Sequence, residues 1–231
     1  STIMIRPGAD WRELTRMPMV QGSESDAEDR AVFTKLFLDY VRTNPGAYTK
    51  GIVDKTVQFW STRELPRNDD IYVARDHSRI LSALVWKAGR FGFPFGILLP
   101  LAVIGIARCW RRIPLPAYLF IVLYSASVVA VFVSGRYRIP LVPVLAVPAA
   151  AGLLSLFKPL RGRDLAGGAA VFCAAVALAV ATSLAGPFAV ERHDYRAELR
   201  TEIGSELLKQ GRIEAARAEL LEALRIDPDG G

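Results

Sequence analysis

The chain has 231 residues, 52% of them hydrophobic and 23% charged, with a mean hydropathy of +0.25 and a net charge of +6. A soluble domain rarely combines that apolar content with a positive mean hydropathy, which argues against a purely soluble fold. The basic residues cluster at the ends of apolar runs, a placement that fits membrane topology rather than a nucleic-acid face. Cys109 and Cys173 lie in or beside apolar runs and give no disulfide framework, and neither His77 nor His193 has a partner at metal-ligand spacing.

Residues 1–27 are polar and irregular, with Pro7-Gly8 and Pro18. Helical spacing of Ala31, Val32, Phe37, Leu38 and Val41 predicts an amphipathic helix over 28–43, closed by Asn44-Pro45 because the residue before proline is pushed out of the helical region. A second amphipathic stretch covers 46–62 and ends in Phe59 and Trp60, rings suited to headgroup depth. Residues 63–78 read as a polar connection and 79–90 as a third amphipathic helix.

Four apolar segments follow, at 91–107, 115–133, 139–157 and 165–189. Crossing about 30 Å of hydrocarbon takes about 20 helical residues, so the first is short, and Pro94 and Pro100 interrupt it. The fourth is rich in small residues and is expected to pack inside a bundle. One buried core helix would explain any of these runs, but the set leaves no polar face to wet. Arg108, Arg111 and Arg112 separate the first two segments; Lys158, Arg161 and Arg163 separate the last two; Arg136 and Arg138 lie in the loop between. That bias puts the first and third loops in the cytoplasm and residues 1–90, the loop 134–138 and the C-terminal tail on the outer face. The expected fold class is all-α: a multispanning transmembrane helix bundle over 91–190, amphipathic flanking helices within 1–90, and a helical hairpin over 197–231.

Residues 197–228 resemble one tetratricopeptide repeat. Ile203-Gly204 supply the large–small pair of the first helix, Leu207 the bulky residue a turn later and Gly211 its end. Ala216, Leu220 and Ala223 supply the small–large–small series of the second helix, and Pro228 closes the unit. Arg200 departs from the pattern, where tryptophan is usual. One repeat cannot bury its own face, so further repeats are expected beyond Gly231, and a concave array would bind a protein or peptide. The start at Ser1 without methionine likewise leads us to expect a longer polypeptide.

The loop Ser134–Pro143, SGRYRIPLVP, sets Arg136, Tyr137 and Arg138 where a short loop meets a span. Arginine pairs bidentately with phosphate, but arginines at span ends also snorkel to headgroups as anchors, and spacing alone favours the anchor. The stretch RYRIPLVPVLAVPAAAGL resembles the late-span motif of multispanning GT-C glycosyltransferases of the mannosyltransferase and aminoarabinose-transferase type. The segments TNPGAYTKGIVDKTVQFWSTRELPRND and FGFPFGILLPLAVIGIA are similar to bacterial proteins that join such a core to tetratricopeptide repeats.

That resemblance implies transfer of a sugar from a polyprenyl-phosphate donor at the outer face of a bacterial inner membrane. Lipid and the lipid-linked donor would be partners, and a divalent metal would be a possible cofactor of the full-length enzyme. Arg136 and Arg138 would contact the carrier phosphate and Tyr137 would pack at its edge, with Arg63, Arg67 and Lys55 as weaker candidates for the same role. The catalytic acid would lie upstream of Ser1. Glu64, Asp69, Asp70 and Asp76 are the candidate acids that remain on the outer side; none matches the catalytic position, and their ordinary reading is solvated loop charge. The competing function is a membrane-anchored repeat scaffold.

Overall fold

The structure, a computed structural model, describes residues 25–66, 70–131, 133–162, 165–186, 188, 191 and 194–228, and of 158–162 and 165–166 it describes the backbone alone. Among the described residues the chain is all-α apart from one short hairpin. Among the described residues, 25–53 and 194–228 form one compact unit, and 54–66 with 70–191 form a second.

In the first unit, helix α1 (Asp26–Thr43) starts at Ser25, whose hydroxyl accepts from the Glu28 N–H at 3.4 Å. Asp26, Glu28 and Asp29 in its first turn and Arg42 in its last complement the helix dipole. Helix α2 (Pro45–Phe59) opens on proline, whose missing N–H costs nothing at that position, and carries the chain into the second unit. Phe37 and Tyr48 meet edge to face at 5.8 Å across the α1–α2 turn.

The chain returns to the first unit as a helical hairpin, α9 (Arg196–Lys209) and α10 (Ile213–Ile226). Gly211 takes φ +75°, while its N–H donates to Leu208 O and the Arg212 N–H to Leu207 O, so the last carbonyls of α9 are satisfied in a Schellman turn. Gly204 is buried where a Cβ would come within 2.7 Å of Leu220 Cγ, and Ala216 and Ala223 are buried on the facing helix. Ile203 and Leu207 are half-buried, and Pro228 is exposed beyond α10.

The second unit holds helices α3 (Ile71–Ala74) and α4 (Arg79–Leu84), strands β1 (Trp86–Ala88) and β2 (Phe91–Phe93), and helices α5 (Phe95–Cys109), α6 (Leu115–Val131), α7 (Leu141–Gly162) and α8 (Leu165–Leu184). Residues 79–90, expected as one helix, divide: Ser78 caps a six-residue helix, then Val85 turns extended and β1 pairs antiparallel with β2. Gly89 at φ +57° makes the two-residue turn, and Trp86 stacks on its cross-strand partner Phe93 at 5.2 Å. The expected first span therefore starts four residues late, because β2 takes Phe91–Phe93.

Helices α5 and α7 form the tightest seam. Gly105 and Gly152 face each other there, and a Cβ on either would strike the other helix's backbone, at the Pro148 and Leu101 carbonyl oxygens. Arg138, just ahead of α7, lies 4.3 Å over the ring of Phe95, which begins α5, so the two helices run in the same direction and α6 connects them in reverse. The small residues of α8 do not do the close packing expected of them. Within Gly167–Leu184 only Val171 and Ser183 are buried, while Phe172, Val176, Val180 and Leu184 are exposed. Two opposed glycines suffice for backbone contact, and α5 and α7 have them.

Only Gly167–Leu184 is, among the described residues, a helix both long and apolar enough to cross a membrane, with mean hydropathy 2.0. Leu115–Val131 and Leu141–Phe157 are apolar but shorter. The 15 residues of α5 rise about 22 Å at ~1.5 Å each. The outward faces of these helices stay apolar: Leu119, Val122, Leu123, Val147, Leu154 and Phe157 are all exposed.

Candidate functional site

At the end of the second unit where α5 and α7 begin and α8 ends, the segment 59–66 is clamped by two arginines from opposite sides. Expected as the end of an amphipathic stretch (59–62) and the start of a polar connection (63–66), this segment is instead the most enclosed polar stretch among the described residues: Ser61, Thr62 and Arg63 are 0%, 1% and 3% exposed. The reason is local. Helix α2 stops at Phe59, and its last carbonyls need donors that water cannot supply there.

Arg138 supplies one to Phe59 and the rest to the segment that follows. Its Nη1 donates to Ser61 O and Phe59 O, and its Nη2 to Arg63 O at 2.5 Å and to Glu64 Oε2 at 2.9 Å. Its Nε–H is buried with no hydrogen-bond partner among the described residues. Gly135 lets the loop 134–138 come this close, since a Cβ would strike the Glu64 carboxylate, and its N–H donates to Leu65 O at 3.0 Å.

Arg63 performs the mirror task for α8. Its Nε and Nη2 hold Glu191 in a bidentate fork at 2.5 and 3.0 Å, while Nη1 donates to Arg90 O and Ser183 O and Nη2 to Ala185 O. All five of its N–H groups are thus used. Arg90 Nη1 donates to Leu184 O, so the carbonyls of 183, 184 and 185, orphaned at the end of α8, each receive a guanidinium donor. Thr62 Oγ1 meets Ser183 Oγ at 3.1 Å and takes the Gly92 N–H at 3.2 Å. Gly92 is required here, since a Cβ would stand 2.7 Å from the Arg63 Cα.

Burial alone would raise the Glu191 carboxyl. The hydrogen bonds from Arg63 and the Phe188 N–H, with the charges of Arg63 and Lys87, outweigh it and hold that carboxyl below its usual range. Burial pushes the Tyr72 phenol up to about 12, where its oxygen accepts the Glu64 N–H at 3.0 Å. Partial burial lowers the Lys55 ammonium, which donates to Val131 O at 2.8 Å.

The structure therefore separates the residues that the sequence grouped. Arg138 and Arg63 are committed to backbone carbonyls and to Glu64 and Glu191; Arg136 is exposed, its guanidinium 5.6 Å above the half-buried ring of Tyr137. Asp70 caps α3 through the Tyr72 N–H at 2.8 Å, and Asp76 and His77 are exposed in a 3-10 turn. Arg67, Asp69 and His193 lie outside the described residues. No group of three His, Cys, Asp or Glu residues among the described residues is placed to hold a metal ion, so a divalent metal is implied by the resemblance alone. Glu191 was missed in the sequence. Nothing local marks it, because its partner lies 128 positions away. Comparison of the chain with family models, curated proteins and solved structures returns no match.

Proposed function

We propose that α5–α8 cross a bilayer as a multispanning bundle and that the chain is the membrane part of a GT-C-type glycosyltransferase acting on a polyprenyl-phosphate-linked sugar. Support for the bundle comes from the exposed leucine, valine and phenylalanine side chains around these helices, an apolar surface too extensive for contact with water. The alternating helix directions, with 61–66, 134–138, 183–186 and Glu191 meeting at one end, support a topology in which these segments share one side of the membrane; the basic loops of the other end favour the extracytoplasmic side for them, and the bacterial inner membrane is what the resemblance implies.

The observation that carries the enzymatic reading is Arg136. It is the arginine of the loop 134–138 that is left exposed, beside Tyr137, on a loop held rigid by Arg138. A fixed loop presenting a guanidinium that has no acidic partner among the described residues suits the phosphate of a lipid carrier. A charge-assisted hydrogen bond contributes about 1.5–3 kcal/mol, so Arg136→Ala in the full-length protein raises the KM for the polyprenyl-phosphate donor by about 10–100-fold. An unchanged KM sinks the assignment.

The second reading is a membrane-anchored repeat scaffold. Leu208, Ile213, Leu221 and Leu224 stand exposed on the α9–α10 hairpin, apolar area suited to a protein neighbour. A photo-crosslinker at Leu224 then captures a protein in cells; capture of nothing removes this reading.

A further inference from the structure

The opposite end of the second unit differs in kind. Helix α5 runs out through Arg108 into the 3-10 turn Trp110–Arg112, and α6 starts three residues later. Arg108, Trp110, Arg111 and Arg112 are all exposed, Trp110 by 59%. The Arg111 guanidinium lies 5.0 Å over the Trp110 ring, and the Tyr118 hydroxyl donates to Trp110 O at 3.0 Å, which ties the turn to α6. Helix α7 runs parallel to α5 and finishes at this end, with Lys158 and Arg161 in its last turns. Between positions 77 and 163 the sequence contains no Asp or Glu. Among the described residues none of these three arginines has an acidic partner.

Among the described residues this end is thus a basic surface with an indole at its edge, and no carboxylate there pairs with the arginines of the α5–α6 turn. We propose that it binds the headgroups of anionic phospholipids, with Arg108, Arg111 and Arg112 on lipid phosphates and Trp110 at headgroup depth. The inference rests on the reading of α5–α8 as membrane-embedded. Charge complementarity selects the partner: a guanidinium forks onto a phosphate diester, and an indole favours the boundary between hydrocarbon and water. A zwitterionic headgroup neutralises its own phosphate and offers less to an unpaired arginine. An acidic protein would satisfy the arginines but leave the exposed indole and the neighbouring apolar helix faces without a medium, so lipid is the better fit.

The test uses the whole chain in vesicles of phosphatidylcholine and phosphatidylglycerol, with the acyl chains of one lipid or the other brominated. Trp110 emission is taken as the difference between the wild type and Trp110→Phe. Brominated phosphatidylglycerol quenches it more than brominated phosphatidylcholine at equal mole fraction. Arg111→Gln weakens the preference by about fivefold, the effect of one basic residue at an anionic surface. The triple variant Arg108→Gln, Arg111→Gln, Arg112→Gln abolishes it with helicity unchanged by circular dichroism; if that variant loses helicity, Arg111→Gln carries the test. Equal quenching by the two lipids in a chain that floats with the vesicles overturns the anionic-lipid inference and leaves the bundle standing. A chain that does not float with the vesicles overturns the membrane reading and this inference with it. A preference that survives in the triple variant overturns the assignment to these arginines.

Discussion

The two ends of the second unit use the same residue type in opposite ways. At one end Arg63 and Arg138 are buried, each spending its guanidinium on backbone carbonyls and one glutamate. At the other end Arg108, Arg111 and Arg112 are exposed and lack a carboxylate among the described residues. Acids make the difference, and they come from outside the apolar region: Glu64 precedes it and Glu191 follows it. Where the flanking segments reach back over the bundle, arginine becomes internal scaffolding. Where only short loops turn between helices, arginine remains available to the surroundings. Charge count alone does not separate anchors from struts; the position of the matching carboxylate does.

The sharpest way to break this contrast is to remove one arginine from each end. Arg63→Ala strands the Glu191 carboxylate and the last carbonyls of α8 in a site with little water, and loss of one partner of a buried pair costs about 3–5 kcal/mol. Arg138→Ala costs a similar amount through the Ser61 and Arg63 carbonyls and Glu64. Arg111→Ala stays within about 0.5 kcal/mol, as expected of an exposed side chain away from such features. Unfolding of the three variants in detergent, followed by circular dichroism, checks the ranking. Equal losses at both ends would erase the distinction.

Much of the helical layout was legible in the sequence, and the failures have a common cause. The apolar runs at 115–133, 139–157 and 165–189 mark α6, α7 and α8 because hydrophobic length is a local property. Gly211 and Asn44-Pro45 mark helix ends for the same reason. The hairpin at 86–93 was hidden because its stabilising contact, Trp86 on Phe93, reads along the chain as two more aromatics in an amphipathic stretch. The role of Arg138 was hidden more deeply. In the sequence it is one of two arginines flanking a tyrosine, and only contacts 74 to 79 positions away make it a strut while Arg136 stays exposed. Likewise the glycines that pack closest are one each from α5 and α7, whereas the run richest in small residues lies on α8.

A smaller effect tests whether the two ends are held in register by the seam between them. Gly105→Leu forces a branched side chain into the backbone of α7 at Pro148, and overpacking of this kind costs about 1–3 kcal/mol. Gly46→Leu is the control, since no atom lies within 4 Å of a Cβ there, and it gains only the difference in helix preference, up to about 1 kcal/mol. Thermal unfolding of the pair checks the seam: a Gly105→Leu protein as stable as Gly46→Leu would mean that α5 and α7 do not meet at their glycines.

The smallest effect separates the two ends by pH. The Glu191 carboxyl is held below its unfolded value of about 4.5, so its contribution to stability is fully present above that pH and is lost as the pH falls through the depressed folded value. Glu191→Gln keeps the shape but removes the charge, and its deficit against the wild type is therefore largest near neutral pH and shrinks on acidification. Thermal midpoints of the two proteins, measured from neutral pH down through that window, should converge. The Arg108–Arg112 turn contains no carboxylate, so Arg111→Gln shifts the midpoint equally little at every pH. A Glu191→Gln deficit that stays constant across the range would show that the fork to Arg63 holds through shape and hydrogen bonding, with the carboxylate charge contributing nothing.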